Sequence, residues 1–358
     1  MPTATAAPPR LPRRIALSTL ALLAAGTAHA HVFCATSAAQ LQQALTAASD
    51  GGPYNGEDNE VDLAPGTYTT GAATSNGAFH YRSTAVTGLI SIHGGFDANC
   101  QNPRSNPARA KLDGNGQTPV LAIVNAHAPI EVLELTVQNG ESIGNGAGLS
   151  LSGGAGIAVL FTVIKNNHTT GLGGGFSIHA DGLATSDYVF LETNLVTGNS
   201  ADQDFGAGSI TTDAAVVAVT HDTVYGNTTL GMGDSTGTGG LFLSAESGYL
   251  SNNIFRANTL YGFYLDSVDI FVNANWNAYG SSGGRPPASA TDNTNAPPNF
   301  VDPAGGDFHL SGTSPLLAYS RSIVGRYLDL EGHSLPSGGR RDIGVYADTV
   351  FADAFDDG

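Results

Sequence analysis

Between Ile130 and Gly280 one short pattern returns five times, and no single copy is large enough to bury its own apolar residues. The copies end Leu135-Thr-Val-Gln-Asn139, Val163-Ile-Lys-Asn-Asn167, Leu195-Val-Thr-Gly-Asn199, Thr223-Val-Tyr-Gly-Asn227 and Ile254-Phe-Arg-Ala-Asn258, their closing Asn residues 28, 32, 28 and 31 positions apart. A second pattern interleaves with it: Gly146-Ala-Gly-Leu-Ser-Leu151, Gly173-Gly-Gly-Phe-Ser-Ile178, Gly206-Ala-Gly-Ser-Ile-Thr211, Gly239-Gly-Leu-Phe-Leu243 and Gly262-Phe-Tyr-Leu265. Self-similarity at this period means stacked units that form a continuous core only between neighbours.

Counting back from each Asn sorts the residues into columns. Three positions before it stand Thr136, Ile164, Val196, Val224 and Phe255; two before it stand Val137, Lys165, Thr197, Tyr225 and Arg256. Side chains alternate along a strand, so these columns face opposite ways, and the one holding both cations faces out. The fourth position back (Leu135, Val163, Leu195, Thr223, Ile254) is also apolar, although alternation places it outside. Either a neighbouring segment covers it or a bend near the Asn breaks the alternation. Stacked strands lie about 4.8 Å apart. A repeated Asn therefore predicts side-chain amides bonding from rung to rung at a turn, where Asn also tolerates left-handed backbone.

The N-terminal residues 1–30 have the form of a signal peptide. Arg10, Arg13 and Arg14 precede the apolar run Ile15 to Ala25, and Ala28-His-Ala30 is a small-x-small cleavage site. The mature chain is expected to start at His31, to carry 11 Lys plus Arg against 31 Asp plus Glu (11 − 31 = −20), and to be periplasmic, extracellular or at the cell surface. Such a charge argues against nucleic acid as a partner, and no later apolar run is long enough for a membrane helix. Charged residues are only 13% of the chain and Gly numbers 47, a composition of short strands and tight turns. The two cysteines, Cys34 and Cys100, predict one disulfide in an exported protein.

Taken in order, Ser37-Ala-Ala-Gln40 is a capping box opening a short helix with Leu41, Ala44, Leu45 and Ala48 on one face. Short apolar runs at Glu60–Ala64, Gly88–Ile92, Gly94–Asp97, Lys111–Gly114 and Val120–Val124 look like the first turns of the coil. The expected layout is a β-helix with N-terminal cap over 31–280, a linker over 281–298, a closing region over 299–346 and an acidic tail over 347–358. The helix before Val61-Asp-Leu-Ala-Pro-Gly-Thr-Tyr68, the Gly94-Gly-Phe-Asp-Ala-Asn-Cys100 segment, Leu112-Asp-Gly114 and the Gly-Gly/Asn repeats carry a resemblance. The chain resembles the right-handed parallel β-helix of the pectin-lyase-like superfamily, in its bacterial exported branch. That resemblance implies an all-β solenoid and little about activity, because its members include lyases, hydrolases and adhesins.

The sequence departs from the superfamily's hydrolases, since three of their four motifs are absent and the only Asp-Asp is Asp356-Asp357. The lyase branch implies an Arg or Lys base with Ca²⁺ held by carboxylates. Only Lys165 and Arg256 are available between 130 and 280. Tyr225, His221 and Asn252 are expected to converge near Arg256, making Arg256, Lys165, His221 and Tyr225 the catalytic or binding candidates. Asp202, Asp204 and Asp181 are candidates for Ca²⁺, while His93 and His309 read as structural. Three Gly-x-Ser-x-Gly matches lack a following helix and are turns. The leading expectation is a monomeric surface-associated protein that presents a glycan- or partner-binding face without a catalytic set. The alternative is a polysaccharide lyase acting on an acidic glycan with a divalent cation.

Overall fold

The computed structural model describes residues 30–71, 77–103, 105–180, 187–213, 216–231, 236–266, 271–321, 328–334 and 340–347. Residues 1–29, Asp181 and the tail from 348 onward lie outside these, so the expected signal peptide is not among them. One turn shows the plan. Ile157–Leu160 belongs to sheet A, Val163–Lys165 to sheet B, His168–Thr169 to a short four-stranded sheet, and Phe176–Ala180 to sheet C. Among the described residues sheets A, B and C hold nine, eight and eight strands, each pairing in parallel with its neighbours in the stack. The molecule is an all-β parallel β-helix, and strand twist favours right-handed connections in such a coil.

Alternation sends one column of each strand inward. Ile90, Ile130, Ile157, Val189 and Val217 stack in sheet A, and Leu112, Val137, Ile164, Val196, Val224 and Phe255 in sheet B, none more than 3% exposed. Each such side chain gains about 1.5–3 kcal/mol by leaving water. The interleaved Gly-rich pattern supplies sheet C. There the Phe176 ring fills the space beside Gly208, where an added Cβ would meet the ring at 2.6 Å.

The turns are held by side-chain amides. Asn167, Asn199, Asn227 and Asn258 form the expected ladder, each Nδ2 donating to the next Oδ1 at 2.9, 2.9 and 3.0 Å. The first copy sits one residue out of the counted register, because Thr136, Val137 and Gln138 pair with Val163, Ile164 and Lys165. Val137, not Thr136, therefore points inward. Asn139 occupies the left-handed station before the ladder (φ 54°) and donates to the Asp113 carboxylate instead. A second ladder runs along the corner between sheets A and B. The backbone N–H groups of Thr162, Asn194, Asp222, Asn253 and Asn277 donate to Oδ1 of Asn194, Asp222, Asn253, Asn277 and Asn293 in turn. Each of Phe161, Thr193, His221, Asn252, Trp276 and Asp292, one residue ahead of a ladder position, has φ between 52° and 63°. Such backbone is costly for bulky side chains, and the following ladder bond holds it.

Both ends of the coil are managed. Helix α1 (Ala38–Ala48) buries Leu41, Ala44, Leu45 and Ala48 under the first turns, capped by Ser37 as expected. Its Gln42 accepts from His80 N–H and donates to His80 C=O, so it satisfies the edge of sheet C in place of another strand. The segment expected to be a linker stays in the coil instead. Ser282–Gly284 pairs in parallel with Phe263–Leu265, and Ser289 and Thr294 bridge to Asn273 and Ala278. Beyond it the chain folds back over sheet B as a cover. An antiparallel hairpin, Phe300–Asp302 with Asp307–Leu310, is followed by Leu316, Leu330, Ile343 and Val345. These side chains lie on Val163, Leu195, Tyr225, Ile254 and Ala278, which explains the apolar column that alternation turns outward.

Two measurements check this account. Asn199→Ala leaves the Asn167 N–H and the Ile164 carbonyl without their partner and is expected to cost about 2–4 kcal/mol in urea unfolding. Asn258→Ala, at the less buried end of the ladder, costs less. Phe308→Ala, in the cover and 4% exposed, is expected to cost about 3 kcal/mol and to raise binding of a hydrophobic dye by baring Leu195.

Candidate functional site

The cover decides the fate of the residues singled out on sheet B. Tyr225 and Arg256 are register partners, as expected, but Tyr225 packs edge-on against Phe300 and Phe308, both at 5.4 Å. Arg256 donates through Nη2 to Ala296 C=O at 2.7 Å, and burial holds its pKa below the ordinary arginine value. His221 and Asn252 are fully buried at the corner. Asn252 Nδ2 meets His221 Nε2 at 3.1 Å, and Ser320 from the cover donates to Asn252 Oδ1. These four groups are neighbours, yet they form an interior seam and not an open groove. Lys165 stays half-buried between Gln138 and Thr197 on sheet B.

Of the expected Ca²⁺ ligands, Asp204 is already committed. Asp204 is 1% exposed and accepts from the N–H groups of Phe205, Thr236, Gly237 and Thr238 and from the Thr236 hydroxyl. Its oxygens are committed to donors and organise a loop. Asp202 instead lies 3.9 Å from His168 Nε2, which Glu141 approaches at 3.8 Å from the previous rung. His309 is structural as expected, stacked on Tyr346 and 2.7 Å from Asp307.

His93 has a different setting. It stands on the outer face of sheet A at the coil's N-terminal end, opposite Asp62 in the register, with Glu60 two residues before Asp62 on the same face. Its Nδ1 lies 3.6 Å from Glu60 Oε1 and its Nε2 3.6 Å from Glu134 Oε2. Phe96 packs edge-on against the ring at 4.7 Å, within the loop that follows His93. That loop is anchored by the Cys34–Cys100 disulfide and by Arg109 Nε donating to Phe96 C=O. Ser105, from the same loop, donates to Glu134 Oε1.

Burial disfavours charge on His93, but Glu134, Glu60 and Asp62 outweigh it and lift the imidazole to about 9. Burial and the charge of Glu60 push Asp62 up to about 7. Glu60 is held below its ordinary value by His93, against the effect of burial. Burial also raises Glu131, two rungs from Glu60 in the same outward column. Perturbed groups gathered on an exposed face are a functional signature.

The same face changes character along the axis. Glu60, Ser91, Glu131, Ala158, Phe190, Ala218, Tyr249 and Asn273 form one outward column. The Tyr188 and Phe190 rings lie nearly parallel 5.2 Å apart. Two rungs on, about 9.6 Å, Tyr249 is raised to about 12 by burial, with Glu192 and Tyr188 adding to it. Phe271 ends the neighbouring column 69% exposed. Acids at one end and aromatics at the other leave a low floor at Ala158 and Ala218. In the strand registers of sheet A no Lys or Arg faces outward among the described residues.

No known family profile matches the chain, and no curated protein does. Among solved structures it is similar to the crystal structure of pectate lyase Pel9A at 16% identity, covering 81% of this chain and 88% of that one, with a TM-score of 0.33. A likeness that distant says nothing about the site. Sequence reasoning missed the cluster because Glu60, Asp62, His93 and Glu134 come from three turns with no common spacing. The available signal was two acids alternating in a strand that packs beside one bearing a histidine.

Arg256→Ala is expected to lower stability by about 1–3 kcal/mol through the lost bond to Ala296 and lost packing. Circular dichroism during urea unfolding measures it, and a neutral result would show that the cover does not depend on this residue.

Proposed function

We propose that this is an exported, non-catalytic glycan-binding protein whose site is the outer face of sheet A. The observation that carries the reading is the pairing of aromatic rings at Tyr188, Phe190, Tyr249 and Phe271 with carboxylates at Glu60, Glu131 and Glu192 along one flat strip. Aromatic faces offer apolar area with little entropy to lose, and carboxylates accept hydrogen bonds from hydroxyl groups. Rungs repeat about 4.8 Å apart, so a linear glycan laid along the axis meets the side chains of successive rungs in one column.

The sign of the face selects among glycans. With no outward Lys or Arg among the described strand residues of sheet A, and with His93 flanked by Glu60, Asp62 and Glu134, the strip is acidic on balance; it disfavours polyuronates and suits neutral or amino-sugar chains. The lyase alternative needs an accessible cationic base beside acidic substrate. Arg256 sits under the cover, and Lys165 lies on sheet B, away from the strip. A disulfide between the protein's only two cysteines accords with export to an oxidising compartment.

A glycan array is expected to show binding to neutral or amino-sugar oligosaccharides, weakened about tenfold or more by Tyr249→Ala, a loss of about 1.4 kcal/mol, and unchanged by Arg256→Ala. Incubation with polyuronates, with and without Ca²⁺, is expected to give no rise in unsaturated-product absorbance. Such a rise, abolished by Arg256→Ala or Lys165→Ala, would replace this reading with the lyase.

A further inference from the structure

The geometry points to a mononuclear site for a divalent transition ion of the zinc or manganese class, held by Glu60, Asp62 and His93. One donor atom from each of the three lies within 4.8 Å of the others. The His93 Nδ1 to Glu60 Oε1 separation, 3.6 Å, is near the edge of about 3.4 Å that a tetrahedral ion with bonds of about 2.1 Å imposes. All three side chains project from two adjacent rungs of one parallel ladder, with Asp62 and His93 in direct register, so the backbone fixes their spacing before any ion arrives.

Asp62 provides an independent pointer to a ligand. Its side chain is on the sheet's outer face yet only 4% of the residue is exposed, and Oδ1 has no hydrogen-bond partner. A buried carboxylate oxygen left unpaired is costly, and among the described residues no hydrogen bond reaches Oδ1. A cation bridging Asp62 and Glu60 removes that cost.

The second ring of contacts fits the same reading. The imidazole turns Nδ1 towards Glu60 and Nε2 towards Glu134, whose other oxygen accepts from Ser105. This is the carboxylate–histidine–metal arrangement in which an outer carboxylate fixes the tautomer and orients the ring. Glu134 Oε2 is likewise buried and lies 3.6 Å from Nε2, placed to take that N–H while Nδ1 faces the ion. The donor set also chooses the metal. One imidazole with two carboxylates suits zinc, manganese or iron, whereas Ca²⁺ requires six to eight oxygens. Cys34 and Cys100 are joined to each other and are not ligands. Glu60, whose side chain is 39% exposed, leaves the outer side open to water or to a ligand's hydroxyl.

The site does not depend on the glycan reading and is tested separately. Tag-free mature protein is dialysed against chelator, then titrated with Zn²⁺, Mn²⁺ and Ca²⁺ by calorimetry, with Co²⁺ as a spectroscopic probe. One equivalent of Zn²⁺ or Mn²⁺ should bind and raise the melting temperature. Ca²⁺ should do neither, and Co²⁺ should give visible bands of imidazole–carboxylate coordination. His93→Gln and Asp62→Asn should abolish binding, and Glu134→Gln should weaken it about 10–100-fold while leaving the metal-free fold intact. Absence of binding at millimolar Zn²⁺ and Mn²⁺, or unchanged affinity in folded His93→Gln, would overturn the assignment. So would a Co²⁺ spectrum without coordinated nitrogen.

Discussion

Everything in this molecule rests on side-chain amides that stand in for backbone at the corners. A parallel coil must reverse direction several times per turn, and each corner strands N–H groups that no strand can satisfy. Here Oδ1 of an Asn or Asp in one turn accepts the stranded N–H of the turn before it, and in most positions Nδ2 then finds a carbonyl or the next amide. Away from the ladder ends at Asn258 and Asn293 the amides are 0–1% exposed, so a missing rung there would leave buried donors unpaired. Hydrophobic stacking supplies the larger share of stability, yet stacking alone is tolerant of slippage. The ladders set the register.

The cover over sheet B follows from that register. With the strands fixed, Leu195, Ile254 and their neighbours necessarily point outward as an apolar stripe. The chain returns from its C-terminal end to bury them, tied down by Ser320 on Asn252 and by the Val345 N–H on Thr223. This divides the molecule's long faces into two kinds. Sheet B becomes interior along most of its length, so residues that look exposed on a strand pattern, Tyr225 and Arg256, serve cohesion. On sheet A the outward side chains of the middle rungs, such as Phe190 and Tyr249, are only partly buried, and there the sequence invests aromatics and acids.

The period, the inward columns, the Asn ladder and the helix cap were legible in the chain because each depends on residues at a regular spacing, and the disulfide because the chain has two cysteines. Three things were not. The register of the first repeat differs by one because Asn139 and Gly140 imitate the Asn-Asn pair of the next turn while shifting it. The second ladder mixes Asn with Asp222 and follows residues as unlike as Phe161, His221 and Trp276, so no motif marks it. The cover and the carboxylate–histidine cluster join segments far apart in sequence, Tyr225 with Phe308 and Asp62 with His93. Stacked turns bring Asp62 to His93, and the returning C-terminal segment brings Phe308 to Tyr225.

The left-handed corner station has a consequence of its own. Because the ladder residue behind it holds the backbone in place, the station accepts side chains of very different size and polarity, and several of them, His221 and Asn252 among them, go on to pack under the cover. Glu, Phe, Thr, His, Asn, Trp and Asp all occupy it. Successive stations are one rung apart, about 4.8 Å, so the corner lines up unlike side chains in a row, some turned to the cover and some to the outer face. Glu134, which faces His93, is the first of them.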